Sequence, residues 1–366
     1  MKILHLVEHV REAGNGGVNV AVDLACLQAD LGHRVGVVSK GGDYEKLLRQ
    51  HGVQHFKADQ SSKLGKYIQY LKQYIAAMRD FQPDIVHSHT MVSVTAAWLL
   101  KNLGRYRLVA TVHNEFQKSA VLMGLADKVI VVSKAGARLM HQRGISKQKL
   151  CVVLNANIGS PRFRPLASCR PLLIHSPAIV TVAGLHIRKG HIELIKAFEK
   201  IAARFPKAHL YLVGDGSGRA QIEAAANQTS VTHRIHFEGF QPEPQKYLLS
   251  SDIFVLASHR EPFGLAIAEA REAGCAVIAS NVDGIPEVVE RGKAGILFEA
   301  QNVDALATVI ADLLGDQKKL EFWQQQAKKN LGWLKVDRLV QETLAVYQQL
   351  TPDNTSAITR KPLNTI

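Results

Sequence analysis

What most limits the fold of this chain is a rhythm that occurs twice. Short runs rich in β-branched residues alternate with helix-length amphipathic segments. In the first half the strand-like runs are Ile3–Val7, Arg34–Val38, Asp84–His87, Leu108–Val112, Lys128–Val132 and Leu150–Leu154. Helical patterns such as Val18–Leu31, Leu64–Arg79 and Lys134–Gln142 lie between them. The second half repeats the order at Ile179–Ala183, Leu210–Val213, Ile235–Phe237, Ile253–Ala257, Ala276–Ala279 and Gly295–Phe298. Strand runs joined by helices predict parallel sheets covered on both faces. Between the halves, Gly159–Pro165 and Arg170–Pro177 place four prolines in seventeen residues, a linker composition. After Phe298 only helices follow, at about Val303–Leu314, Lys318–Asn330 and Val336–Leu350. The expected fold class is therefore α/β, with two Rossmann-like domains at 1–165 and 166–335, and a polar tail 351–366 that frays. Ligands of open parallel sheets bind beyond the carboxyl ends of the strands. Chemistry is thus expected at strand-to-helix junctions facing an inter-domain cleft.

Composition excludes several classes. With 46% apolar and 21% charged residues, the chain is globular, neither disordered nor fibrous. It has no apolar run of the ~18 residues that a membrane span requires. The opening Met1–Glu8 meets charge too early for a secretory leader and reads as a first buried strand. Cys26, Cys151, Cys169 and Cys275 show no C-x-x-C spacing, which argues against a disulfide framework or a zinc site. A reducing cytoplasm is the expected compartment. The formal net charge of +13 is uneven: residues 1–166 carry 23 Lys and Arg against 11 Asp and Glu, and residues 167–366 carry 22 against 21. Such a field attracts a large anionic partner, or is a diffuse surface bias without one.

Several junctions carry polar motifs. Gly14-Asn15-Gly16-Gly17 follows the first strand and opens a helix, so its backbone N–H groups can approach an oxyanion, or it is simply a turn. His87 and His89 fall on one side of a pleat, but no third ligand of suitable spacing accompanies them, and no metal is expected. His113 lies just past a strand and could orient a substrate hydroxyl, share a proton, or be structural. Arg188-Lys189-Gly190 precedes a helix, as a phosphate clamp or a solvated pair. Gly214-Asp215-Gly216-Ser217-Gly218 repeats the glycine-loop layout. The densest constellation is Glu261-Pro262-Phe263-Gly264, leading into a helix through about Ala273. Pro262 suits a first helical turn, and Gly264 permits close backbone approach. Glu269 then sits among Ala266, Ile267, Ala268 and Ala270, where a carboxylate is costly to bury without partners such as sugar or ribose hydroxyls.

Glu261–Glu269 resembles the E-x7-E signature of family 4 of the retaining glycosyltransferases, which have the GT-B fold. The resemblance extends over almost the whole chain. It includes Gly16-Gly17, Leu31–Val35, Pro83–His89, Val132-Ser133-Lys134, Arg188-Lys189-Gly190, Val213–Gly216 and Ser280–Glu287. It implies two facing Rossmann-like domains, with the final helix, about 336–350, packing back on the first. It implies that Gly16 and Gly17 hold a donor β-phosphate and that Lys189, with Arg188, neutralises the diphosphate. Glu269 would bind the ribose, Glu261 would face the transferred sugar, and the amides of Phe263, Gly264 and Leu265 would complete the pocket. His113 would lie beside the donor sugar. One position departs from the pattern: many relatives have an arginine where Gly184 stands.

The expected reaction is transfer of a hexose-type sugar from a nucleotide-diphosphate sugar, most simply a UDP-sugar, with configuration retained. His113, Glu261 and Lys189 are the expected catalytic residues. With no D-x-D pair in the chain, neither a metal nor any other cofactor is expected. The basic first half predicts an anionic glycan or glycolipid acceptor, as in lipopolysaccharide or envelope-polysaccharide assembly, and peripheral contact with the cytoplasmic face of an inner membrane. Lys63, Lys66 and Lys72 with Tyr67, Tyr70 and Tyr74 on the Leu64–Arg79 helix form a candidate interfacial face, or an ordinary sheet-covering helix. Two other classes fit less of the sequence. A sugar-nucleotide epimerase of the same architecture would turn over donor without an acceptor. A nucleic-acid-binding protein would leave the two glutamates unexplained, and no nucleic-acid partner is expected.

Overall fold

The structure, a computed structural model, describes residues 1–60 and 64–351. Lys63 and the tail beyond Thr351 lie outside the described residues. Among those described, two parallel sheets form. The first contains β1 (Lys2–Leu6), β2 (Arg34–Ser39), β3 (Gln54–Lys57), β4 (Ile85–Ser88), β5 (Arg107–Val112), β6 (Lys128–Val131) and β7 (Leu150–Val152). Their order is β3-β2-β1-β4-β5-β6-β7. The second contains β8 (Ala178–Val182), β9 (His209–Val213), β10 (Ile235–Gly239), β11 (Ile253–Leu256), β12 (Ala276–Ser280) and β13 (Ile296–Phe298). Their order is β10-β9-β8-β11-β12-β13. The order reverses between β1 and β4 and between β8 and β11, and ligand crevices form at such switch points.

The pleat sorts each strand between two layers. Ile3 packs with Val20, Leu24 and Ile85 on one face, and Leu4 and Leu6 pack with Val86, Leu108 and Tyr74 on the other. The first layer includes α1 (Gly16–Asp30) and the final helix Val336–Gln348, whose Leu339, Val340, Leu344 and Tyr347 join the N-terminal core. The chain crosses between domains twice, side by side. Ile158 pairs with Lys335, and the Asn157 and Ile158 N–H groups donate to the Leu334 carbonyl. The proline-rich segment is therefore pinned, not slack. The domains also meet where the Glu287 carboxylate accepts from the Lys134 and Ala135 N–H groups, each at 3.0 Å. There it caps the helix Lys134–Gln142 across the cleft.

Two expectations need correction, and one open alternative is resolved. The edge strand β3 was absent from the expected set, because Gln54-His55-Phe56-Lys57 has no buried residue and is held by its pairing with β2. The Leu64–Phe81 helix does not offer its tyrosines to an interface: Tyr70 and Tyr74 are fully buried in the core and Tyr67 packs against it. Pro262 does not occupy a first helical turn. The helix begins at Leu265, after Gly264 at φ +97°, a left-handed entry that glycine adopts without strain.

Candidate functional site

The N-terminal wall is built by α1 and the end of β5. Asn15 caps α1, its side-chain oxygen accepting from Gly17 N at 3.1 Å and Val18 N at 3.4 Å. The Gly17 N–H is thus already engaged by the cap, so an anion at this loop would share or displace that bond. Gly17 is the more tightly packed of the two, and Gly16 has room for an ordinary contact. A Cβ on Gly17 would lie 3.1 Å from the His113 ring, and one on Gly16 would lie 3.4 Å from Leu265 of the other domain. His113 Nε2 is 2.9 Å from His89 Nδ1, and His113 Nδ1 is buried without a partner.

On the C-terminal wall, the turn Ile187–Lys189 ends at Gly190, whose φ is +72°. A Cβ there would stand 1.9 Å from the Ala257 carbonyl oxygen, so β11 and the helix His191–Ala202 approach closely only with glycine. The Lys189 ammonium is hydrogen-bonded to the Glu261 carboxylate, with side chains 15% and 9% exposed. The Glu261 N–H donates to Asp283 Oδ2 at 3.0 Å. Arg188 is exposed and donates to the Arg260 carbonyl at 3.2 Å, so it stands apart from the Lys189–Glu261 pair. Gly184 lies at the cleft, and a Cβ there would meet the His186 ring at 3.1 Å. His186 therefore crowds the place at which the family resemblance implies an arginine.

Phe263 is buried edge-on to Trp333, their ring centres 6.3 Å apart, and Gly264 opens the helix that carries Leu265 and Glu269. The first N–H groups of that helix have no intrahelical acceptor. Glu269 Oε1 accepts from Asn157 Nδ2 at 2.5 Å. Burial pushes its carboxyl up to about 7, although nearby Arg162 pulls the other way. Arg162 is itself buried against Asp23, Nε to Oδ1 at 2.8 Å and Nη2 to Oδ2 at 3.0 Å. Burial alone would lower its pKa, but Asp23 and Tyr44 hold the guanidinium protonated. Asn157, Arg162, Asp23 and Glu115 were not among the expected site residues, since each reaches the site from an element remote in sequence from its partners. Burial, reinforced by Asp283 and Glu261, pushes Glu115 up to about 7.

The Glu269 shift has a definite sign. Between pH 4.5 and about 7 the folded carboxyl retains a proton that the unfolded chain has lost, so stability falls as pH rises through that window. Glu269→Gln keeps an acceptor for Asn157 and removes the buried charge. It is expected to stabilise the unliganded protein by roughly 1–3 kcal/mol at pH 8 and by almost nothing at pH 4. Urea unfolding at the two pH values checks this, and equal gains at both would refute it.

Between the walls lies a cleft lined by residues of both domains, among them Gly16, Asn157, Arg162, Gly184, Leu265 and Glu269. His87 and His89 were expected to lack a third metal ligand, but β1 places His5 beside them, one ligand atom of each lying within 4.8 Å of the others. No described helix is long and apolar enough to cross a membrane.

Two Rossmann-like domains, a returning C-terminal helix and carboxylates at the switch-point cleft define a glycosyltransferase of the GT-B fold. The Glycosyltransferase Family 4 model matches residues 14–156, and the Glycosyl transferases group 1 model matches residues 174–330. The chain belongs to this family of glycosyltransferases. An uncharacterised glycosyltransferase of Methanocaldococcus jannaschii is 33% identical over 176 residues, covering 46% of this chain and 44% of that protein. The lipopolysaccharide core biosynthesis glycosyltransferase LpsE of Rhizobium meliloti is 28% identical over 141 residues, covering 38% of this chain and 40% of LpsE. The matched regions thus span less than half of either relative. Among solved structures, Anabaena HepE in complex with UDP and glucose matches with a TM-score of 0.80 at 20% identity, over 96% of this chain and 99% of HepE.

Proposed function

We propose that this chain transfers a hexose from a UDP-sugar to an anionic glycan or glycolipid acceptor, with retention of configuration and without a metal. The observation that carries the reading is the largely buried Lys189–Glu261 pair, on the loops that follow β8 and β11 at the switch point of the second sheet. A diphosphate at this point would draw the Lys189 ammonium from Glu261 and leave that carboxylate for a sugar hydroxyl. The acceptor oxygen bonds to the anomeric carbon on the face from which the diphosphate oxygen departs. The acceptor proton passes to the departing phosphate. Lys189, together with the helix amides at Leu265, offsets the charge that develops there. Glu269 and Asn157 hold the ribose hydroxyls, and closure of the two domains excludes water. Arg188 contributes to the field at the cleft mouth rather than to a direct clamp.

The excess of basic residues in the N-terminal half supports an anionic acceptor, and LpsE acts in lipopolysaccharide core biosynthesis. Turnover of UDP-glucose and related UDP-, GDP- and ADP-sugars in excess chelator tests the reaction. Transfer undiminished by EDTA is expected. Complete loss that Mg²⁺ or Mn²⁺ restores would overturn the metal-free mechanism, and preference for a neutral acceptor over its phosphorylated form would overturn the acceptor class.

A further inference from the structure

The pleat gathers a line of imidazoles behind the cleft. His5 on β1 and His87 on β4 are register partners, facing the same side as Ile3 and Ile85, toward α1 and the C-terminal helix. His89 and His113 continue this side beyond the strand ends. Gln28 of α1 meets His5, Oε1 to Nε2 at 2.8 Å. His5 Nδ1 meets His89 Nε2 at 3.0 Å, and His89 Nδ1 meets His113 Nε2 at 2.9 Å. The chain ends at His113 Nδ1, which is buried and unpartnered beside Gly17.

We propose that Gln28, His5 and His89 are positioning residues that hold His113 as the neutral tautomer protonated on Nε2, so that its Nδ1 presents a lone pair to a hydroxyl of the transferred sugar. The proposal rests on the reading of the cleft as a donor-sugar site. The proton positions follow from donor and acceptor chemistry. Gln28 Nε2 donates to the Tyr347 hydroxyl at 3.5 Å, which turns its carbonyl oxygen to His5. A carbonyl only accepts, so His5 Nε2 carries the hydrogen and His5 Nδ1 must accept from His89 Nε2–H. By the same rule, His89 Nδ1 accepts from His113 Nε2–H, and His113 Nδ1 is left bare. A side branch leaves the line undisturbed: His87 Nδ1 lies 2.6 Å from the Tyr347 hydroxyl and His87 Nε2 lies 2.7 Å from Thr111 Oγ1, and each hydroxyl can donate or accept.

An additional proton on His5 or His89 would set two N–H groups against each other in a buried line. Burial also pushes His5 and His113 down to about 4 and holds His87 and His89 well below the usual imidazole range. A bare Nδ1 accepts, so it fits a hydroxyl and rejects phosphoryl and carboxylate oxygens, which offer no proton. Charge recognition thus falls to Lys189 and hydroxyl recognition to His113. Buried polar atoms rarely lack a partner without a reason, and a bound hydroxyl supplies one. A metal held by His5, His87 and His89 fits less well. Every ring nitrogen of these three already has a hydrogen-bond partner, and an ion would strand Gln28 or Tyr347.

Long-range proton–nitrogen correlation spectra of protein labelled with ¹⁵N-histidine read the tautomers directly. In the wild type, His5, His89 and His113 are expected to be protonated on Nε2 alone. His5→Leu removes the acceptor for His89 and should admit the Nδ1-protonated form of His113. His5→Asn, whose Oδ1 takes the place of Nδ1, should restore the original form. With UDP-glucose as probe, His5→Leu should weaken binding roughly ten-fold and leave UDP unchanged, and His5→Asn should recover it. A wild-type His113 protonated on Nδ1, a His5→Leu spectrum with unchanged His113 signals, equal losses for UDP and UDP-glucose, or stoichiometric metal by elemental analysis would each overturn the relay. If the wild type binds neither UDP nor UDP-glucose, the donor-site reading fails, and the nitrogen shifts of the wild type still decide the relay.

Discussion

Replacing Asp23 with alanine is expected to destabilise the protein by about 3–5 kcal/mol, because it strands a buried guanidinium. Asp23 and Arg162 have side chains only 1% exposed. Asp23 accepts two bonds from Arg162 and a third from Ser160 Oγ at 2.7 Å. The pair joins α1 to the inter-domain crossing segment, so its loss reaches beyond local packing. Arg162 beside the cleft would also lose its fixed position near Glu269. The damage comes from the uncompensated charge, not from the missing attraction. The double variant Asp23→Leu with Arg162→Met should therefore recover most of the stability. Urea denaturation of the wild type, the single variant and the double variant checks this. A single variant within about 1 kcal/mol of the wild type would show that water reaches the guanidinium.

Replacing Lys189 with methionine is expected to lower kcat by about 10²–10³-fold, the usual effect of removing one preorganised group that meets charge developing in the transition state. Methionine retains much of the buried stem, so the effect isolates the ammonium. In the free protein the substitution also strands Glu261 near Glu115 and Asp283, and some stability should be lost. Arginine is not a conservative replacement, because its planar fork cannot reproduce a point charge on Glu261. Steady-state kinetics with UDP-glucose separate the effects. A rise in KM with kcat intact would assign Lys189 to ground-state binding alone.

Both sheets were legible because parallel strands buried on two faces leave apolar runs whose lengths differ from those of the helices between them. Where the reading failed, the local sequence was silent or ambiguous. Gln54–Lys57 is a strand only because β2 lies beside it. Tyr67, Tyr70 and Tyr74 recur at the spacing of a core stripe, and the lysines between them disguised it. The left-handed entry at Gly264 depends on how the loop meets the helix, which composition does not encode. Lys189, Glu261 and Glu269 were visible because each follows a strand in a compact motif. Asn157 is 112 residues from Glu269, and Arg162 is 139 from Asp23. His5 sits within an apolar strand and meets His89 across 84 residues. Only the register of β1 on β4 brings those rings together.

Calorimetric titration of UDP in EDTA, into the wild type and into Glu269→Gln at pH 8, tests the central claim most directly. If the cleft holds a nucleoside diphosphate with its ribose on Glu269, the wild type binds without metal. The variant, though more stable, then binds at least ten-fold more weakly. No UDP binding by the wild type, or equal affinities for the two proteins, would contradict the account.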